Sequence, residues 1–233
     1  TAGRLLTLTG TNIDDNTMTP VLANNAGISS FTKAGTGKWV MKAANTYTGL
    51  TTLTAGTLNV GDGTDVLASL GTNAVSIGAG TTLNFNHNAA VTVANAISGT
   101  GTLSKLGSNT LTLTGLQTYT GATNVAGSLV FQNDVAPTTS GFTGTGAVTI
   151  EPVSSTFTAA SLTSGYTFAN TLTGFTLGKS GASSDLAMAT DISIAGPIRL
   201  YGGSLTLNAG VDLATTNASL ILLDSVKDRK SVV

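Results

Sequence analysis

A long phrase occurs twice in the 233-residue sequence, with one tyrosine at the same place in each copy. The first copy reads NTYTGLTTLTAGTLNV (residues 45–60), and the second reads QTYTGATNVAGSLVF (residues 117–131). The two phrases align when Tyr47 is placed over Tyr119. An internal repeat of this kind indicates stacked structural units, each of which buries its apolar face against the next.

The correspondence continues upstream of the shared phrase. At the same offset Phe31 meets Leu103, Lys33 meets Lys105, Gly35 meets Gly107 and Trp39 meets Leu111. The match then slips by one residue, because LTAG at residues 53–56 corresponds to VAG at residues 125–127. Since loops tolerate such slips, we expect this position to be a corner of the chain.

Between and beyond the copies, short segments alternate apolar and polar residues and end at Gly, Asn or Asp. Examples are AVSIGAGTTLNFN from Ala74 and ISIAGPIRLYGGSLTLNAG from Ile192. A period of two predicts strands, and no segment has a convincing helical stripe with caps. A sandwich or a barrel would also contain short strands, but the imperfect internal repeat and the lack of Asn-Gly hairpin turns favour a solenoid.

We therefore predict an all-β fold, a parallel β-helix of about ten turns that runs at least from Leu5 to Leu223. Residues 1–226 form one solenoid segment in this interpretation. The shared phrase would be a corner, with turn positions at Tyr47, Gly49, Gly56, Tyr119, Gly121 and Gly127. We expect positive φ at Gly49 and Gly121, because glycine adopts that conformation without steric cost.

Composition restricts the function. Charged residues make up only 9% of the chain, against roughly 25% in typical domains, and the net charge is −1. Without a basic cluster there is no electrostatic basis for binding nucleic acid or an anionic membrane. The sequence contains no cysteine, which is compatible with export of an unfolded chain but also with a cytosolic enzyme.

The two copies resemble the autotransporter-associated β-strand repeat, also called the passenger-associated transport repeat. Its pattern, a GxGxLxKxG lead followed by TLTLTGxNTYTGxTTVxAGTLxV, is met by residues 99–131, and residues 31–60 fit it too. The first copy departs from it at Trp39, Met41 and Lys42, and the second lacks one residue before Ala126.

The resemblance implies a right-handed parallel β-helix in the passenger of a large bacterial surface protein, secreted through a C-terminal outer-membrane barrel of the parent chain. It implies an extracellular, cell-surface location. We expect a structural and adhesive segment, a rigid spacer that contributes at most a weak binding surface for host or environmental glycans or proteins. We expect no enzymatic activity, no cofactor, no nucleic-acid partner and no membrane insertion by this segment.

Few residues suggest catalysis or metal binding. His87 is the only histidine, and we interpret it as a solvated loop residue, because a zinc site or a catalytic triad needs further partners. GDGTD at residues 61–65 offers carboxylates to calcium but lacks the tandem repeats of calcium-bound rolls, so we interpret it as a polar loop. Asp14 and Asp15 are adjacent and would face opposite ways on a strand. We predict no catalytic residue and no metal site.

Two other functions remain as alternatives. A β-helix carbohydrate-active enzyme needs clustered acids in one groove, and no such cluster is evident in the sequence. Exposed Trp39, Tyr47 and Tyr119 would form an aromatic stripe for stacking on sugars, although we favour an internal packing role for them. Some solenoids bind ice through aligned Thr-x-Thr steps. These steps recur here, but their phase in the sequence wanders, for example at Thr7/Thr9, Thr46/Thr48, Thr52/Thr54, Thr112/Thr114 and Thr118/Thr120.

The C-terminal residues differ in composition from the rest. DSVKDRKSVV ends the chain, and DRKSVV is the translation of a common sequencing adapter. We interpret residues 227–233 as a non-native tail at the end of a metagenomic gene fragment. A gene sequence with different codons there would contradict this hypothesis.

Overall fold

The computed structural model describes residues 3–158, 165–216 and 218–223; the tail at residues 227–233 lies outside them. The described residues contain strands and no helix, and every strand pair is parallel. The parallel sheets stack as a β-solenoid of about ten turns, which confirms the predicted fold class.

Three sheets form the sides of the solenoid. Sheet I contains β1 (Arg4–Leu8), β3 (Ser29–Lys33), β5 (Thr51–Leu53), β7 (Val75–Ile77), β10 (Ile97–Gly99) and β13 (Gln117–Tyr119). Sheet II contains β2 (Asn16–Met18), β4 (Lys38–Met41), β6 (Thr57–Val60), β8 (Thr82–Phe85), β11 (Thr102–Lys105), β14 (Thr123–Val125), β16 (Gly141–Gly144) and β18 (Thr167–Phe168).

Sheet III contains β9 (Val91–Val93), β12 (Thr110–Leu113), β15 (Ser128–Gln132), β17 (Ala147–Glu151), β19 (Gly174–Leu177), β22 (Ile198–Tyr201) and β25 (Leu220–Leu223). Two pairs complete the C-terminal turns: β20 (Asp185–Met188) with β23 (Ser204–Leu207), and β21 (Ile192–Ile194) with β24 (Leu213–Thr215).

The turns differ in length, while the pairing between them keeps inward residues over inward residues. In sheet I, Arg4 pairs with Ser29, and the following step, from Phe31 to Thr51, is shorter. In sheet III, the step from Thr110 to Ser128 is shorter still. The corners absorb these differences, because a slip of one residue within a strand would turn its apolar side chains outward.

The core is one continuous apolar column. Strand residues alternate between buried and more exposed, so that Leu53 and Ile77, which pair in sheet I, are both buried, as is Phe31 in the neighbouring inward row. Equivalent columns of Leu, Val, Ile and Phe line the other two sheets. Each fully buried aliphatic or aromatic side chain contributes about 1.5–3 kcal/mol, so this column is the main source of stability.

Candidate functional site

A buried lysine ends the first strand of each repeat copy. Lys33 is 0% exposed, and its Nζ donates hydrogen bonds to the carbonyl oxygens of Ala34 at 2.8 Å, Gly35 at 2.7 Å and Ala55 at 3.0 Å. An ammonium has three donors, so this group is fully satisfied by the backbone. Because Ala55 belongs to the next turn, the lysine ties two turns together at their corner.

Lys105 repeats this arrangement in the second copy. It is buried, and its Nζ donates to the carbonyl oxygens of Leu106 and of Gly107, the latter at 3.0 Å. Burial lowers the pKa of Lys33 and of Lys105, since desolvation disfavours the charged form. The carbonyl oxygens oppose this effect by accepting hydrogen bonds from the ammonium. Both lysines therefore stabilise the corner that follows them, and Lys33 also bonds to the next turn.

The repeated tyrosines are also internal. Tyr47 and Tyr119 are each 0% exposed, and each hydroxyl is hydrogen-bonded to a threonine four residues on: Tyr47 to Thr51 at 2.6 Å and Tyr119 to Thr123 at 2.7 Å. Burial raises the pKa of both phenols. Because neither ring reaches the surface, they cannot form the exposed aromatic stripe considered above. The half-buried Trp39 donates its indole N–H to the carbonyl oxygen of Thr9 at 3.0 Å.

The corner glycines lie where neighbouring turns touch. A Cβ at Gly49 would lie 2.4 Å from the carbonyl oxygen of Ser29, and one at Gly121 would lie 2.0 Å from that of Gly101. Neither has positive φ, so our expected reason for glycine there is wrong; close approach of the stacked backbone requires it instead.

Positive φ occurs at other glycines of the repeat. Gly35 and Gly107, two residues after the buried lysines, have φ of 69° and 70°. Gly56 also has φ of 69°, whereas Gly127 does not lie in the positive region. The corner at Gly127 is one residue shorter, which is the slip seen in the sequence, and it turns with a different backbone conformation.

The two copies occupy different sides of the solenoid. Lys33 ends a strand of sheet I, and moving up that sheet by three turns leads to Leu53, Ile77 and Gly99. Lys105 lies one side further on, at the end of a strand of sheet II. The offset between the copies therefore equals three turns plus one side. Consequently β3–β4 of the first copy, on sheets I and II, correspond to β11–β12 of the second, on sheets II and III.

His87 is buried, which contradicts our interpretation of a solvated loop residue. It is 4% exposed, and its Nε2 lies 2.7 Å from the carbonyl oxygen of Ala68, so Nε2 carries the proton and donates it. Ala68 belongs to the long connection that follows β6 in the turn below. The sequence around His87 gives no sign of this cover, because the covering residue is distant in the sequence.

The GDGTD loop forms ion pairs rather than an open carboxylate site. Lys42 Nζ lies 2.5 Å from Asp62 Oδ2 and 3.9 Å from Asp65 Oδ2. The other oxygen of Asp62 accepts hydrogen bonds from the N–H and hydroxyl of Thr64, at 2.8 Å and 2.7 Å. The bond from Lys42, followed by those from Thr64, holds the pKa of Asp62 well below its usual value. The ammonium of Lys42 thus neutralises the carboxylates that a cation would need.

Other acids are dispersed over the surface. Asp15 pairs with Lys38 at 2.6 Å, and Asp191 accepts a hydrogen bond from the N–H of Asp212 at 3.0 Å. Among the residues that the structure describes, no group of three or more His, Cys, Asp or Glu residues is placed to hold a metal ion. The described part of the chain also has no helix with the length and apolarity of a membrane span.

The outward side of sheet I carries aligned hydroxyl groups. Successive strand pairings place six Thr or Ser side chains in one row along the solenoid: Thr7, Thr32, Thr52, Ser76, Ser98 and Thr118. Our expectation that the phase of the Thr-x-Thr steps wanders is wrong for this side. Thr7/Thr9, Thr52/Thr54 and Thr118/Thr120 drift in the sequence because turns differ in length, but they align in space on this side. Thr112/Thr114 belongs to sheet III instead.

The comparisons with known proteins identify the repeat. The family model described as Passenger-associated-transport-repeat matches residues 31–60 and 103–130. A search of curated proteins and a search of solved structures each gave no match. The two matched segments are those that hold the buried lysines and the tyrosine–threonine pairs. Two segments of the chain thus match the passenger-associated transport repeat, and both are built into a parallel β-solenoid.

Proposed function

We propose that this segment is a rigid spacer in the passenger of a secreted bacterial surface protein, holding other regions of that protein away from the outer membrane. The observation that carries the proposal is the continuous cluster of buried apolar side chains that runs along three parallel sheets. With turns about 4.8 Å apart, ten of them give a rod about 48 Å long. The passenger-associated repeats support a secreted, cell-surface location.

The rod should be stiff because neighbouring turns are joined on three sides at once. Backbone ladders hold the strands, and the hydrogen bond from Lys33 Nζ to the carbonyl oxygen of Ala55 joins two turns at a corner. Bending the rod would require several of these contacts to open together. A stiff rod supports a spacer role better than a flexible linker, whose end-to-end distance grows only as the square root of its length.

The same segment would contribute weak adhesion. Its outward positions carry Thr, Ser and Asn side chains, which hydrogen-bond neutral partners such as glycans or polar protein surfaces. Each contact would be weak, but the repetition along the rod would add them through multivalency.

Distances between spin labels test the rod. The chain lacks cysteine, so Thr7→Cys combined with Ser98→Cys or with Thr118→Cys places two labels without background. These pairs lie four and five turns apart, so we expect narrow distributions centred at about 19 Å for the first pair and about 24 Å for the second. Broad distributions, or no increase of about 5 Å between the two pairs, would contradict a rigid spacer.

The competing enzymatic class has its own test. Incubation of the chain with acidic and neutral polysaccharides, followed by detection of new reducing ends or unsaturated products, measures cleavage directly. We expect binding on a glycan array at high protein density and no cleavage. Cleavage by this chain would replace the spacer proposal with a carbohydrate-active enzyme.

A further inference from the structure

The outward side of sheet I presents two adjacent rows of side chains, which we call the hydroxyl face. The first row is the one described above, from Thr7 to Thr118. The second lies two residues further along each strand, as the hydrogen bonds from Thr54 N to Lys33 O and from Thr120 N to Gly99 O show. It contains Thr9, Ala34, Thr54, Gly78, Thr100 and Thr120.

Most hydroxyl groups of this face are directed to solvent. Thr54 Oγ1 bonds to Lys33 O at 3.3 Å, and Ser98 Oγ lies 3.5 Å from Val75 O. The other hydroxyls of the two rows have no protein partner in the part of the chain that the structure describes. Each hydroxyl offers one donor and two acceptors, so the face is available to hydrogen-bond water or a hydroxylated solid.

The face is also uncharged. Beside the two rows lies a third outward row, which is apolar except for one serine: Leu5, Ser30, Leu50, Ala74, Ala96 and Leu116. None of the three rows contains Asp, Glu, Lys or Arg over six successive turns. An ionic ligand therefore finds no partner on this side of the solenoid, and a partner that matches it is neutral.

The other two sides differ. On sheet II, the outward amides bond to one another or to a hydroxyl, as Asn84 does to Asn59 at 2.8 Å and Asn124 to Thr143 at 3.2 Å. On sheet III, the outward row that contains Thr112 and Thr149 continues to Arg199. In the described residues, only sheet I among the three combines unpaired hydroxyls, flanking apolar groups and no charge.

We propose that the hydroxyl face binds ice. The hydroxyls of the first row repeat about every 4.8 Å along the solenoid. The second row, interrupted at Ala34 and Gly78, lies about 6.6 Å further along the strands, so the two rows make a two-dimensional array. Water held by these hydroxyls, and ordered beside the threonine methyl groups and the apolar row, takes the spacing of the face. An extended, neutral, periodic surface fits a solid lattice of water better than it fits a single small molecule, which needs a concave pocket.

A crystalline polysaccharide is the other neutral periodic partner, and the face suits it less well. Sugar-binding surfaces rely on exposed aromatic rings, which stack on apolar sugar faces. No aromatic side chain stands in the three rows, and Tyr47 and Tyr119 are fully buried. The polysaccharide is therefore an outcome of the test rather than the proposal.

The experiment measures inhibition of ice recrystallisation and incorporation of the fluorescently labelled chain into a slowly grown ice hemisphere. We expect the unmodified chain to enter the ice and to keep its crystals small. Ser76→Tyr places a bulky ring in the middle of the face and should abolish both effects. The double variant Thr52→Val, Thr118→Val keeps the shape of the side chains, removes two hydroxyls and should weaken both effects.

Thr149→Tyr on sheet III is the matched control and should retain full activity. Circular dichroism and urea midpoints of each variant separate loss of the face from loss of the fold, and the valine variant covers the case in which Ser76→Tyr does not fold. Exclusion of the unmodified chain from ice would overturn the proposal, as would equal activity of Ser76→Tyr and Thr149→Tyr. Binding to cellulose or chitin that Ser76→Tyr abolishes, without any effect on ice, would assign the face to a polysaccharide instead. None of these results bears on the rod measured by spin labels.

Discussion

The two repeat copies, residues 31–60 and 103–130, bury the same side chains on different sides of the solenoid. Lys33 closes a strand of sheet I, and Lys105 closes a strand of sheet II. The repeat therefore does not encode a particular side. It encodes a succession of buried lysine, tight corner and buried tyrosine–threonine pair, which begins on sheet I in one copy and on sheet II in the other.

The copies differ where they meet solvent. In the first, Lys42 forms an ion pair with Asp62. In the second, the equivalent positions are Thr114 and Asn133, and the side-chain amide of Asn133 donates to the carbonyl oxygen of Thr114 at 3.1 Å. Neighbouring turns are thus linked at this position by an ion pair in the first copy and by a neutral hydrogen bond in the second. The two copies share their buried lysine and tyrosine but differ in this surface contact.

The largest expected effect concerns the corner glycines. Gly49→Val and Gly121→Val should each destabilise the chain by about 1–3 kcal/mol or more, because an added side chain would overlap backbone that cannot move aside. Urea midpoints measure the change, with the outward substitution Thr112→Val as control. If all three variants unfold at the same midpoint, the close approach at these corners is not required.

The second largest loss of stability is expected when the buried lysines are replaced. Lys33→Met and Lys105→Met should each cost about 1–3 kcal/mol, because corner carbonyl oxygens lose their donor. Lys33 bonds three carbonyls and Lys105 two, so the loss should be larger in the first copy.

Lys38→Met, which breaks only the exposed pair with Asp15, is the control and should change the urea midpoint little. Methionine variants that are as stable as the unmodified chain would show that the cost of burying the ammonium cancels its hydrogen bonds.

Removal of the tyrosine hydroxyl should destabilise the first copy more than the second. Tyr47→Phe leaves Thr51 without its hydroxyl partner, whereas after Tyr119→Phe the hydroxyl of Thr123 keeps its bond to Thr139 at 2.9 Å. We expect a loss of about 0.5–1.5 kcal/mol for Tyr47→Phe and a smaller one for Tyr119→Phe. Thermal or urea unfolding measures the loss of stability in both variants, and Tyr201→Phe, at a half-exposed tyrosine, is the control. A larger loss at Tyr119 would reverse this ranking.

The smallest effect is the pH dependence of the surface link. Because the pKa of Asp62 is lowered in the folded chain, its stabilising contribution is present above the ordinary value of 3.8 and is lost as the pH falls below it. Asp62→Asn, which imitates the neutral link of the second copy, should reduce this loss. Urea midpoints between neutral and acidic pH test it, with the exposed Asp14→Asn as control. If the stability of Asp62→Asn and Asp14→Asn depends on pH in the same way, the ion pair of Asp62 does not cause the pH dependence.

The sequence predicts the fold well because two local signals agree. Alternation places Phe31 and Leu53 inside, and the repeated phrase indicates stacking; both are visible without coordinates. The burial of His87 under the connection that contains Ala68, and the alignment of the hydroxyl row, cannot be read from the sequence. Both depend on which turn lies beside which, and turns of unequal length hide that register from any fixed period.

The parallel pairing also decides how the rod responds to a pull. Its backbone hydrogen bonds point from turn to turn, and therefore along the long axis of the solenoid. A force applied along that axis acts on every interface equally. The outermost turn should peel first, because it has a neighbouring turn on one side only. Each detached turn of about twenty residues would release up to about 70 Å of extended chain. Under tension the segment would lengthen stepwise, turn by turn, rather than fail in a single rupture.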